Sequence, residues 1–131
     1  MLGSFQQSKL RIEVKADQKI IGDCLLKTDQ LRQWMWPQNL PVNLAERLEV
    51  GTTFVSKLGI VEVEHEVETA DENCLRLILS KGIDGYHVWY WGDNWIQSSL
   101  EGISLLPLNL GQTLSLVRLQ QHLVSIQKNN K

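Results

Sequence analysis

Apolar and polar residues alternate along residues 9–16. Leu10, Ile12, Val14 and Ala16 are apolar, while Lys9, Arg11, Glu13 and Lys15 are charged. Successive side chains of a strand point to opposite faces, so this pattern predicts a half-buried strand. Asp17 then offers a side-chain oxygen to cap a helix, and Ile20, Ile21, Cys24 and Leu25 recur at helical spacing. A second short helix, capped by Thr28 or Asp29, carries Leu31, Trp34 and Met35. Pro37 and Pro41 end it, because the proline ring disfavours helical backbone in the residue before it. Residues 37–43, PQNLPVN, read as a loop, and LAERLEVGTTFVSKL reads as two short strands turning at Gly51. Gly59 marks the next turn.

The alternation is clearest at residues 61–68, where Val61, Val63, His65 and Val67 interleave with Glu62, Glu64, Glu66 and Glu68. After a turn at ADEN (70–73), Leu75, Leu77 and Leu79 form the apolar face of the next strand. A turn at 81–85 leads to an aromatic strand from Tyr86 to Trp91. Gly92, Asp93 and Asn94 form a hairpin signal, and a last strand over 95–105 is closed by Pro107. The segment LGQTLSLVRLQQHLVSIQ has helical character, with a narrow polar stripe at Ser115, Arg118, His122 and Ser125. Leu110, Leu114, Leu116, Val117, Leu119, Leu123, Val124 and Ile126 cover most of the remaining surface. That arc is too wide for a helix on a flat surface and predicts one gripped by a curved sheet. The tail QKNNK is expected to fray. The fold class is α+β: one strand, two short helices, about six antiparallel strands and a long C-terminal helix, in a single domain over 1–131 with its ordered core at about 8–127.

This order resembles the helix-grip fold of the START / Bet v 1-like superfamily, which includes the polyketide cyclase/dehydrase-like (SRPBCC) proteins. The opening LRIEVKADQKIIGDCLLKTDQLRQWMWP is similar to that family's apolar strand, acidic cap, first helix and Asp-x-x-apolar step into a helix ending at Trp and Pro. Asp17, Asp29, Leu31, Trp34 and Pro37 occupy those places. LEVGTTF (48–54) looks like the family's turn between its second and third strands. The resemblance implies six to seven curled antiparallel strands around the last helix, with a cavity between them for a hydrophobic small molecule or lipid. The family includes lipid carriers, plant hormone binders, aromatase/cyclases and chaperone activators. It shares no single catalytic motif, so no catalytic residue carries over. The turn at LEVGTTF also lacks the glycine-rich loop of the plant allergen subgroup.

Composition narrows the class further. The 131 residues carry a formal net charge of −2 with no basic block, which argues against nucleic acid as a partner. The N-terminal MLGSFQQSKL lacks the apolar core of a signal peptide, and no apolar run reaches membrane-spanning length, so a cytoplasmic location is expected. Cys24 and Cys74 form no CxxC pair and read as reduced thiols. No zinc-ligand spacing, GxSxG elbow, GxGxxG or P-loop occurs, so neither a metal nor a cofactor is expected. The row of glutamates reads as a solvated strand face that also guards against edge aggregation.

His65 is the sharpest single candidate. It sits on an apolar strand face and titrates near neutrality, which suits an acid, a base or a ligand donor; a structural histidine bonded to backbone gives the same pattern. In the aromatic hairpin Tyr86, Val88 and Tyr90 share one face, and His87, Trp89 and Trp91 the other. Loop length decides which set faces inward. Tyr86 and Tyr90 are favoured inward, since their hydroxyls suit an apolar site with a few polar anchors. The expected ligand-binding set is His65, Tyr86, Tyr90 and Arg76, although Arg76 alternates with the leucines of its strand. Gln120 and Gln121 are secondary candidates. A binding protein for a hydrophobic small molecule is expected, rather than an enzyme. One alternative is a cyclase or dehydratase with His65 as base and a tyrosine as proton donor. Another is an interaction module or homodimer contact at the Trp89/Trp91/Trp95 hairpin.

Overall fold

The computed structural model describes residues 3–35, 40–41 and 44–129. Its strands are β1 (Ser4–Glu13), β2 (Thr53–Leu58), β3 (Val61–Ala70), β4 (Cys74–Lys81), β5 (Asp84–Gly92) and β6 (Trp95–Ser104). Its helices are α1 (Gln18–Leu26), α2 (Thr28–Trp34) and α3 (Leu108–Asn129). The six strands form one antiparallel sheet in the order β1-β6-β5-β4-β3-β2, so the first strand in sequence pairs with the last. The sheet curves around α3, giving the α+β helix-grip arrangement.

β1 begins earlier than the alternation predicts and stops before Val14. All ten of its residues pair with β6, from Ser4 opposite Ser104 to Glu13 opposite Trp95. The extra turn of pairing is invisible as hydrophobic pattern because a glutamine supplies the inward group. The Gln6 amide donates to Ser104 O (3.2 Å) and Leu106 O (2.9 Å), and its Oε1 accepts from Leu108 N (3.1 Å) at the start of α3. Buried backbone groups must be paired, and Gln6 does this at the junction of strand and helix.

Asp17 caps α1 as expected, accepting from Ile20 N at 2.8 Å. Neither Thr28 nor Asp29 caps α2. The helix begins at Thr28 with Lys27 in the cap position, and the Thr28 hydroxyl instead donates to Ala45 O at 2.8 Å. Trp36, Pro37 and all but Leu40 and Pro41 of the 36–43 stretch lie outside the described residues. The expected pair of strands around Gly51 is a single strand, β2. The preceding segment instead bridges the end of α1, through Lys27 opposite Arg47 and Leu48 N donating to Leu26 O at 2.8 Å. The glutamate face of β3 is solvated as expected, but β3 lies inside the sheet between β4 and β2 and guards no edge. Glu68 instead pairs with Arg76 across to β4 at 2.9 Å, and Glu62 with Lys81 at 3.6 Å.

The core lies between the inward sheet face, α1–α2 and one seam of α3. Ile21, Leu25, Trp34, Trp91, Ile96 and Leu119 are among its fully buried members. Trp34 donates from its indole to Cys24 O at 2.9 Å and meets Trp89 edge to face at 6.0 Å. The burial of α3 differs from the expected wheel. Ser115, Arg118 and His122 are half-buried, with His122 Nε2 2.7 Å from Gln30 Oε1 on α2, whereas Leu110, Leu114, Val117 and Val124 face solvent. The helix runs through Gln127 and Lys128 of the tail expected to fray.

A glycine pair permits the tight approach of β5 and β6 at one end of the sheet. Gly85 lies opposite Gly102, and a Cβ on Gly85 would stand 2.5 Å from Gly102 Cα. Gly85→Ala is therefore expected to cost about 1–3 kcal/mol through backbone displacement. Urea denaturation checks this, and an unchanged midpoint would show that the two strands are free to separate there.

Candidate functional site

The alternation of the strands sets the site. Val63 and His65 on β3, Leu79 on β4, His87 on β5 and Leu100 on β6 all project towards α3. Together with Ile83 and the segment leading into α3, including Leu108, Gly111, Gln112 and Ser115, they enclose a cavity of about 240 Å³. A smaller void of about 50 Å³ shares His65, His87 and Ser115 and reaches Trp34, Phe54, Leu77 and Trp89. A more open groove runs beside Arg11, Glu13, Lys15, Asp93 and Trp95, and Gln120 belongs to it. The cavity under α3 combines concavity, apolar walls and a few polar side chains, the features of a small-molecule site.

His65 is buried, stacked on Phe54 with ring centroids 4.6 Å apart, and its Nε2 lies 2.9 Å from Ser56 Oγ. Its Nδ1 is buried with no hydrogen-bond partner among the described residues. Burial disfavours the imidazolium and lowers its pKa to about 4. His87 Nε2 lies 2.6 Å from Ser98 Oγ, and its ring lies 4.6 Å from that of Trp89. Burial, with a smaller contribution from nearby His65, lowers the His87 pKa to about 3. Both imidazoles are therefore neutral near pH 7.

The other polar wall comes from α3. Gln112 is 2% exposed and donates from Nε2 to Ser8 O (3.1 Å) and Ser98 O (3.0 Å), with Ser98 Oγ at 2.9 Å. It ties the helix to β1 and β6. Its Oε1 is buried with no hydrogen-bond partner among the described residues.

Of the expected ligand-binding set, only His65 reaches the cavity. Tyr86, Tyr90 and Arg76 lie on the opposite, outer face of the sheet. Arg76 packs its guanidinium 4.5 Å from the Tyr86 ring and pairs with Glu68, and Tyr90 is 43% exposed. The Tyr86 pKa is raised, first by its hydrogen bond to Glu101, which also faces outward. The inward set is His87, Trp89 and Trp91. The two-residue turn at Asp93–Asn94 sets Gly92 opposite Trp95 and Trp91 opposite Ile96, and Asn94 takes the positive φ (68°) that asparagine tolerates. Turning this face inward buries two indoles and leaves the tyrosine hydroxyls in water, where they need no buried partner.

This parity removes two further expectations. A His65–tyrosine acid–base pair is not assembled, because the tyrosines and His65 lie on opposite faces. Trp89 and Trp91 are buried and present no docking surface, while Trp95 on the outer face is half-buried beneath Arg11, 4.4 Å from its ring centroid. Gln120 and Gln121 are exposed. His87, Ser98 and Gln112 were missed as site residues. His87 shares parity with Trp89 and Trp91, so fixing the face would have found it. Gln112 falls four residues from both Leu108 and Leu116, placing a polar group in the apolar seam of the helix.

Among the described residues no group of three or more His, Cys, Asp or Glu side chains could hold a metal ion. Cys24 and Cys74 are free thiols, and burial, with Asp23 nearby, pushes the Cys24 pKa up to about 11. No helix among the described residues is long and apolar enough to cross a membrane.

No protein-family model matches this chain, and no match is found among curated proteins. Solved structures do resemble it. Protein CV1439 from Chromobacterium violaceum superposes with a TM-score of 0.74 at 15% identity, covering 89% of this chain and 96% of that one. The major latex-like protein 151 of Panax ginseng gives 0.66 at 12% identity over 92% and 95% of the two chains. DynU16, from the dynemicin biosynthetic locus, gives 0.66 at 14% identity over 89% of this chain, which spans only 46% of DynU16. At these identities the likeness is one of fold: a helix-grip sheet closed by its C-terminal helix.

Proposed function

We propose that this chain binds a hydrophobic small molecule in the cavity between the sheet and α3, as a START / Bet v 1-like protein. The observation that carries this reading is the largely apolar space itself, which Val63, Leu79, Ile83, Leu100 and Leu108 line from within and Leu110 and Leu114 line at its solvent-facing mouth. Packed interiors seldom leave voids of this size, and an apolar void forfeits dispersion contacts that a ligand restores. The fold shared with a major latex-like protein and with a protein of the dynemicin biosynthetic locus supports the reading.

Gly111 provides the test. It borders the cavity, and a Cβ placed there meets nothing within 4 Å. Gly111 is exposed at the mouth of this space, and Gly111→Phe is expected to cover that mouth while keeping the helix, since glycine is the poorer helix former. Uncharged aromatic compounds are expected to raise the Tm of the natural chain by mass action and to leave that of the variant unmoved. Absence of any shift across such a panel, together with empty protein in native mass spectrometry of the fresh preparation, would sink the reading.

A further inference from the structure

We propose that the cavity selects a compact, neutral aromatic molecule bearing a hydroxyl group, and that Gln112 Oε1 accepts a hydrogen bond from that hydroxyl. This rests on the binding function proposed above and adds the chemical class of the ligand.

The orientation of Gln112 is set by its neighbours. Its Nε2 faces two backbone carbonyls, Ser8 O and Ser98 O. Reversing the amide would turn its oxygen against both of them, so the acceptor is held where no protein donor meets it. A buried acceptor left unpaired is costly; Gln112 lines the cavity, and a ligand hydroxyl that reaches its oxygen as the covering side chains yield recovers that cost. His65 contributes the second unmatched atom. Its Nδ1 is a donor or an acceptor according to which ring nitrogen carries the proton, and a hydroxyl answers either case because it both donates and accepts.

Charge and size complete the selection. Among the described residues no lysine or arginine lines either the cavity or the deeper void, and both lining histidines are neutral near pH 7. A carboxylate would enter without a cation from these residues and would bring the Gln112 oxygen no donor, which disfavours fatty acids and aryl acids. The cavity, about 240 Å³, falls below the roughly 300–1,000 Å³ of sites for drug-sized molecules, which points to one or two fused rings. The rings of His65 and His87 give the walls flat faces, and Phe54 and Trp89 extend them into the deeper void.

Calorimetric titration of the full chain with four matched probes tests this: naphthalene, 2-naphthol, 2-methoxynaphthalene and 2-naphthoate. We expect 2-naphthol to bind about tenfold more tightly than naphthalene, the methoxy compound to lose that gain, and naphthoate to bind at least about tenfold more weakly than naphthol. In Gln112→Leu the preference for naphthol over naphthalene is expected to disappear. The comparison of naphthol with its methyl ether on the natural chain stands even if that variant fails to fold. Equal binding of naphthalene, naphthol and the ether would overturn the donor inference and leave cavity binding intact. Tightest binding by naphthoate would overturn it also. Binding of none of the four would overturn both the inference and the function on which it rests.

Discussion

Trp91→Ala is expected to destabilise the chain by about 3–5 kcal/mol, the cost of removing a fully buried indole and leaving a cavity. Trp91 is 1% exposed on the inward face of β5. The indole lies against α1 so closely that a Cβ on Gly22 would stand 3.1 Å from its Nε1. That Nε1 is itself buried without a protein partner. Trp91→Phe should therefore cost clearly less than Trp91→Ala, because it keeps a ring in place and deletes an N–H that no acceptor satisfies. Trp95, on the outer face beneath Arg11, offers the contrast. Trp95→Ala should cost about 1 kcal/mol, the scale of an exposed cation–π pair. Urea denaturation of the three variants measures all of this. Equal losses at Trp91 and Trp95 would contradict the assignment of the two faces.

Mild acid is expected to destabilise the fold well before the carboxylates titrate. The cavity histidines have pKa values of about 4 (His65) and about 3 (His87), against 6.5 for the free side chain. Above pH 6.5 folded and unfolded chains bind the same number of protons at these sites. Below it the unfolded chain takes up protons that the folded cavity refuses, so stability falls with falling pH until the folded values are reached. The window thus runs from about pH 6.5 to about pH 4 for His65 and to about pH 3 for His87. Each histidine contributes up to about 1.4 kcal/mol per pH unit, so the loss between pH 7 and pH 5 is on the order of 4 kcal/mol. The His122 pKa is also lowered by burial and adds to the trend in the same direction. Unfolding midpoints at pH 7, 6 and 5 provide the measurement, with His65→Gln and His87→Gln each expected to flatten the profile. A level midpoint from pH 7 to pH 5 would show that the cavity accepts imidazolium.

Both predictions depend on the face that the aromatic hairpin turns inward, which is where the sequence ceases to be legible. Period-two alternation at residues 61–68 was enough to place Val63, His65 and Val67 on one face, and they are buried together. Asp17 was readable as a cap and the Gly92–Asn94 stretch as a hairpin, because capping and turn formation depend on residues within a few positions. The parity of Tyr86–Trp91 was not readable in this way. Its two faces both carry aromatic rings, so hydrophobicity alone does not rank them; the favoured inward tyrosines proved to be the outer set. Gln6 and Gln112 were hidden for a related reason. Each is a polar residue in an inward position, and the carbonyls that make its burial tolerable lie on other elements, Ser104 O and Ser8 O about a hundred residues away and Ser98 O fourteen.

The sequence by itself determined the order of strands and helices apart from the extra strand expected before Gly51, together with the hairpin joining β5 to β6, the long apolar C-terminal helix and a histidine on an inward strand face. These are properties of local periodicity and of single residues. Only the tertiary structure decided that β1 closes on β6 over its whole length, that Trp89 and Trp91 face inward while Tyr86, Tyr90 and Arg76 face out, and that His65 and His87 on the sheet and Gln112 on α3 line one cavity. Those outcomes depend on which surfaces meet across the fold, where burial of the larger apolar area and the pairing of buried polar atoms are settled together.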